Sequence, residues 1–292
     1  MKTCIPLFAA LLLASSAVAA DGEPPSTGLS ITVGAGAFWA SNNTANFYSG
    51  KEGNVNTIYR VMHSNTYGTQ IYDYLTTQDY ISDAVQNYSQ LQVVEWPEMY
   101  YRTSYQIDFG LHYKYKSGLG WLLRFDLAKL TALGGFNVST NNGTGILGGR
   151  QYVPFNIMGR EDRISIDLAI TEQLELNRTT TLELDLGASL INTKVKKNMI
   201  GIDNKTWSII DRWNGQTPDY GVAAYDQEIL QGGMGYGVFI SALVGYQMPA
   251  VGAVKVGYTC AQSKTVLKGY TAWGWQHLLG VRVEMDNFDI FK

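Results

Sequence analysis

His63, His112 and His277 are the three histidines of the chain, and histidine is the side chain best suited to moving protons near neutral pH. Set beside a serine and an aspartate, a histidine could drive acyl transfer or hydrolysis. His277 with Ser263 and Asp211 is one conceivable combination, but no spacing marks it. No metal-ligand spacing, glycine-rich phosphate loop or nucleophile elbow occurs, so no catalytic residue, metal ligand or cofactor is assigned. The charged residues carry a clearer pattern. Asp108, Asp126, Asp167, Glu183, Asp185, Glu284 and Asp286 fall on alternate positions of apolar stretches, in phase with Lys114, Lys116, Arg124, Arg163, Lys255 and Arg282, and with His112. Acids and bases nearly cancel. Such a set can neutralise itself inside a protein, where an unpaired charge is costly.

The elements that must hold these charges are strands. Tyr105, Ile107, Phe109, Leu111, Tyr113 and Tyr115 alternate with Gln106, Asp108, Gly110, His112, Lys114 and Lys116. Period-two alternation places the two sets on opposite faces. The stretch is about as long as the ~9–11 residues a tilted strand needs to cross a bilayer. Its tyrosines lie towards both ends, as an interfacial girdle requires. Seven further stretches alternate in the same way, beginning near Leu29, Trp121, Arg163, Leu182, Gly235, Val254 and Leu279. In each, the apolar set reads as lipid-facing and the polar set as inward. Between Ala128 and Leu130 the phase slips, which predicts a bulge or the membrane boundary.

Connections alternate in length. Tight turns near Ser117–Gly120, Asn177–Thr179 and Met248–Ala250 separate long loops at 41–99, 137–162 and 194–232, with a shorter one at Lys268–Gly274. In the first loop, Ile71, Tyr74, Leu75, Ile81, Ala84, Val85 and Tyr88 are spaced as one or two short helical faces. The aromatic residues Tyr72, Tyr74, Tyr80, Trp96, Trp207 and Trp213 make these loops the candidate interaction surface, because tyrosine and tryptophan dominate recognition surfaces. They could equally pack the loops into a cap.

Residues 1–20 read as a secretory signal: Lys2, then an apolar run, then small residues ending at Ala20. Residues 21–28, with Pro24-Pro25, read as a periplasmic lead-in, and 29–292 as the barrel. Beyond the signal the single cysteine, Cys260, cannot form an internal disulfide. No further apolar run is long enough for a spanning helix. The mean hydropathy of -0.09 and the 31 glycines and 19 tyrosines fit a membrane barrel. The net charge of -3 gives no case for nucleic acid.

On this pattern the chain resembles the small eight-stranded outer-membrane barrels of the OmpA/OmpX type, at the level of architecture and without a signature motif. The resemblance implies an all-β, antiparallel, up-and-down transmembrane barrel with a partly helical extracellular lobe, in the outer membrane of a Gram-negative cell. Eight strands are expected, or ten if 138–162 or 194–232 forms a hairpin that joins the wall. Expected partners are outer-membrane lipid, the barrel-assembly machinery and an outer-membrane protein for which this chain is an accessory subunit. The functional expectation is a structural or interaction role. A rim-located lipid- or peptide-modifying enzyme and a small-solute channel are the alternatives.

Overall fold

In the computed structural model, residues 27–81, 85, 87–139, 152–211, 229–248 and 252–285 are described. The expected signal segment, nearly all of the lead-in, Trp213 and Asp286 lie outside them. The strands in chain order are β1 (Gly28–Trp39), β2 (Gln92–Glu95), β3 (Tyr100–Tyr101), β4 (Ser104–Lys114), β5 (Leu119–Ser139), β6 (Tyr152–Glu175), β7 (Thr180–Ile202), β8 (Lys205–Ser208), β9 (Gly233–Met248), β10 (Gly252–Leu267) and β11 (Tyr270–Met285). Eight of them form a ring in the order β1-β4-β5-β6-β7-β9-β10-β11. Antiparallel pairing of β1 with β11, from Ile31↔Met285 to Trp39↔His277, closes it. A path of Cα partners that leaves β4 at Lys114 and follows the ring returns to β4 at Ser104. That stagger is the shear expected of a closed barrel whose strands tilt by ~35–45°.

The wall is apolar outside and polar inside. Val33, Phe109, Phe125, Leu168, Leu186, Val244, Val256 and Val281 are all exposed on its outer face. Tyr115, Trp121 and Tyr246 edge this belt at the turn end, and Tyr105, Tyr236, Trp273 and Trp275 edge it at the other. An apolar band between two aromatic girdles is a lipid-facing surface. The fold is therefore a transmembrane, up-and-down β-barrel of eight strands.

Strands β5, β6 and β7 continue past this belt as a three-stranded flap. The segments 137–162 and 194–232 were expected to be loops, yet β5 reaches Ser139, β6 starts at Tyr152 and β7 runs to Ile202. The reason is an inversion of polarity at the bilayer surface. Along β5 the outward row changes from Phe125 and Leu127 to Lys129 and Thr131, while the inward row changes from Arg124 and Asp126 to Ala128, Leu130 and Ala132. The pairing of β5 with β6 runs unbroken through this point, so the phase slip is a boundary and not a bulge. A hairpin does form within 194–232, but β8 pairs only with the flap end of β7 and adds nothing to the ring. The shorter loop expected at 268–274 is a two-residue hairpin between β10 and β11.

The first long segment packs onto the flap's inner face. It contains α1 (Asn42–Ala45), α2 (Ile58–Met62) and α3 (Tyr67–Thr77). Ile71 and Leu75, four apart on α3, share one helical face and are both buried. With Phe47, Tyr48, Ile58 and Met62 they form one core with Phe136, Val138, Val153, Phe155, Ile157, Val195 and Ile200 of the flap. This cap closes the barrel mouth. Gly159 on β6 makes the seat for Tyr48, since a Cβ there would overlap the Tyr48 ring. Gly159→Val is expected to dislodge Tyr48 at a cost of ~1–3 kcal/mol, as overpacking does. Limited proteolysis should then cut the cap, while heat-modifiable gel migration reports an intact barrel.

Candidate functional site

The lumen holds the charged residues in tiers. Asp108, His112, Lys114, Arg124, Asp126, Arg163, Asp167, Glu183, Asp185, Lys255, Arg282 and Glu284 are all buried within the ring. Lys116 is not among them; it lies exposed in the turn after β4. At the turn end, Lys255 Nζ bonds both Glu183 and Glu284. Glu284 also accepts from Lys114 Nζ at 3.1 Å, from Ser30 Oγ and from His112 Nδ1 at 2.9 Å. Arg282 links this tier upward, lying 3.4 Å from Glu183, 3.5 Å from Asp185 and 3.7 Å from Asp108. The reach to Asp108 passes over Gly34, which is the cross-strand partner of both residues and has no side chain to block it. In the middle tier Arg124 meets Asp126 at 3.0 Å and Asp167 at 2.5 Å, with its guanidinium 5.1 Å over the Phe239 ring. In the top tier Arg163 meets Glu161 at 2.6 Å, and Tyr48 donates to the other Glu161 oxygen at 2.6 Å.

His112, Glu183 and Glu284 place their ligand atoms within 4.8 Å of one another, a donor set of the type that binds metals. Here both carboxylates already bond the Lys255 ammonium, and the second His112 nitrogen bonds Thr171 at 2.8 Å. The trio is the hub of an ion-pair network. Two lumen cavities lined by described residues measure about 50 and 30 Å³. That is room for a few waters in each.

The conceivable triad does not assemble. His277 faces outward at the rim, stacked on Tyr258 with Tyr258 Oη 2.5 Å from its Nδ1. Ser263 faces the lumen and accepts from Gln276 at 2.5 Å. Asp211 sits in the cap, bonded to Arg60 at 2.5 Å. His63 is in the cap as well, with Nε2 3.0 Å from the Leu91 carbonyl.

Of the aromatic residues expected at an interaction surface, Tyr72, Tyr74, Tyr80, Trp96 and Trp207 make contacts within the cap and its neighbours, and Trp213 lies outside the described residues. The Tyr74 and Tyr80 hydroxyls both donate to Asp203 of the β7–β8 turn at 3.0 Å, and Tyr72 donates to the Val85 carbonyl at 2.8 Å. Trp207 is buried edge-on to Tyr74, and Trp96 packs against Tyr59. The contacts of Tyr74, Tyr80 and Trp207 tie the first segment to the β7–β8 hairpin, and buried Asn56 ties it to the chain after β8, accepting from the Asp211 amide at 2.8 Å and exchanging hydrogen bonds with Gln231. A feature missed in the sequence is a groove of about 560 Å³ on the flap's outer face. Its floor is the cross-strand row Leu133, Met158 and Met199, with Tyr100 beside it. Glu98, Asn156, Asp203 and Thr206 edge it. The alternation of 153–157 could have shown the flap and its outer row, had apolar residues been allowed on the inner face.

No family model matches the chain, and no curated protein matches it. Among solved structures, Neisserial surface protein A aligns at TM-score 0.38 and 8% identity, over 89% of this chain and 98% of that one. Ail, the attachment invasion locus protein of Yersinia pestis, aligns at TM-score 0.29 and 7% identity over 88% of this chain and 99% of that one. In complex with the heparin analogue sucrose octasulfate, Ail aligns at TM-score 0.33 and 8% identity, with coverages of 88% and 99%. Scores this low carry no weight for the assignment, which rests on the closed ring, its apolar belt and its ionic filling. Those features define a small eight-stranded transmembrane barrel.

Removal of one partner from a buried ion pair strands the other and costs ~3–5 kcal/mol. Lys255→Ala should therefore destabilise the barrel by about that amount in urea unfolding from lipid vesicles. Adding Glu183→Gln should restore part of the loss, because it removes a carboxylate that Lys255 neutralised while Arg282 keeps Asp185 and Asp108 as partners.

The cap should also respond to alkali. Burial, together with the nearby Glu161 carboxylate, raises the Tyr48 hydroxyl well above its ordinary value of 10.0. Burial and Glu161 raise Tyr101 in the same direction. An acid whose folded pKa is raised stabilises the fold fully below its unfolded pKa and loses that contribution as pH climbs through the folded one. Cap resistance to proteolysis should therefore hold at neutral pH and fall above pH ~10. Tyr48→Phe should lessen that alkaline loss.

Proposed function

We propose that this protein is a non-conducting barrel of the outer membrane with a structural or interaction role. It holds an ordered cap and flap at the cell surface and serves there as an accessory subunit of a larger assembly. The observation that carries this reading is the sealed lumen. Ion pairs fill it from the turn end to the mouth, and the cap core closes the top. A barrel filled in this way offers neither a conduit nor an internal binding chamber, so its useful surface lies outside.

Tight turns at one end and long segments at the other support an orientation with the cap extracellular. The signal-like residues 1–20 support export and assembly by the barrel-assembly machinery. The rim-enzyme alternative loses its constellation, since Ser263 and His277 face opposite sides of the wall.

The purified chain in planar bilayers should be electrically silent. Stable conductance steps would overturn the reading and restore the channel. Mild-detergent purification with mass spectrometry of co-eluting proteins tests the accessory role, and a clean monomer would count against it.

A further inference from the structure

Directly above the lipid belt, one side of the barrel gathers bases on its outward face. The outward rows of β5, β6 and β7 follow a fixed order away from the bilayer. Leu127 and Ile164 are the last lipid-facing pair. Next comes the row Lys129, Asp162 and Lys194, then Thr131, Arg160 and Lys197. Arg102 joins the second row, its amide bonded to the Thr131 carbonyl at 3.0 Å. All of these bases are exposed. Arg160 and Lys197 are direct cross-strand partners, a position where like charges repel at ~4.5–5.5 Å.

The backbone is bent to enlarge this cluster. A register shift at Arg160/Glu161 opposes Arg160 to Lys197 and Glu161 to Val195, leaving Lys196 as the extra residue. Lys196 and Lys197 are therefore both exposed, while Val195 and Asn198 on either side are buried. A regular strand would send one of two consecutive lysines into the cap core. Asp162 is bonded to Lys196 at 3.3 Å. Among the described residues, Arg102, Lys129, Arg160 and Lys197 have no ion partner. The lumen of the same protein pairs its charges, so this surplus is local.

From the bulge, the facing bases and their seat at the edge of the lipid belt, we infer that this face binds the phosphate groups of a phosphorylated outer-leaflet lipid. The acyl chains lie along Leu127 and Ile164, and the phosphates lie among Lys129, Arg160 and Lys197. Adjacency to the lipid belt selects a lipid headgroup over a soluble anion. The inference goes beyond the structural role proposed above and rests on its orientation, with the flap outside the cell.

The test uses the full exported chain in dodecylmaltoside micelles, titrated with bis-phosphorylated lipid A. Binding is expected, and the triple variant Lys129→Gln, Arg160→Gln, Lys197→Gln should weaken it by at least about tenfold. Lys264→Gln, on β10 across the ring and over the Tyr236 ring at 5.6 Å, should leave it unchanged. Heat-modifiable migration verifies folding; if the triple variant misfolds, Arg160→Gln and Lys197→Gln singly should each weaken binding.

Equal binding by wild type and the variants, or equal binding of dephosphorylated lipid, overturns the inference. If inorganic phosphate alone binds as tightly, the site serves a free anion and the lipid assignment falls. Labelling of Lys197→Cys on intact cells by an impermeant maleimide, in a Cys260→Ala background, separates the two readings. Failure to label sinks the orientation itself; labelling without a lipid effect sinks only this inference.

Discussion

Everything in this structure follows from the need to leave no strand edge in hydrocarbon. A bilayer core has no water to bond an open edge, so a sheet that crosses it must close on itself. Closure falls on the pairing of the first strand with the last, β1 with β11. Once eight strands close, the interior is only wide enough for side chains. Charges placed there cannot be solvated and must find one another. The tiers Lys255–Glu284, Arg124–Asp167 and Arg163–Glu161 are therefore a consequence of strand number as much as of composition. The same narrowness leaves the two lumen cavities lined by described residues only about 50 and 30 Å³.

The polarity inversion along β5, β6 and β7 shows one backbone serving two solvents. Below the boundary, lipid takes the apolar row and the lumen takes the charges. Above it, water takes the outward row, and the inward row of Phe136, Val153, Phe155 and Ile157 needs a new cover. The helices of the first long segment supply it. The cap is thus the hydrophobic complement of strands that outrun the membrane. Glu161, Arg163 and Tyr48 lie at the joint between the ionic interior and this apolar one, which makes them the hinge between wall and cap.

The wall was legible in the sequence because lipid and lumen impose opposite chemistry on alternate residues over a full crossing. The phase assigned to Tyr105–Lys114, Arg124–Asp126 and Val254–Cys260 is the phase observed, and the ionic residues expected inside are buried except Lys116, which lies exposed in a turn, and Asp286, which lies outside the described residues. The flap was not legible as strand because its apolar residues face inward, opposite to the lipid-facing pattern of the wall. From 153 to 157 the apolar residues Val153, Phe155 and Ile157 alternate with Pro154 and Asn156 but face inward. The fate of the aromatics was also hidden. Whether Tyr74 and Tyr80 face a partner or bond Asp203 depends on the β7–β8 turn lying across from α3, a long-range contact that no local pattern encodes. The groove floor of Leu133, Met158 and Met199 comes from three separate strands for the same reason.

Matched and unmatched charges then separate structural duty from binding. Inside the wall the bases sit against carboxylates on the same, neighbouring or facing strands, as burial demands. On the outer face of the flap Arg160 faces Lys197 with no carboxylate bonded to either, and a bulge exposes Lys196, bonded to Asp162, beside them. Repulsion there is tolerable in water; the bulge keeps both lysines out of the cap core, but neither closure nor the core requires the residues that face each other there to be bases. A local surplus that the fold does not require, set at the depth where lipid headgroups begin, is what a surface selected for anions should look like.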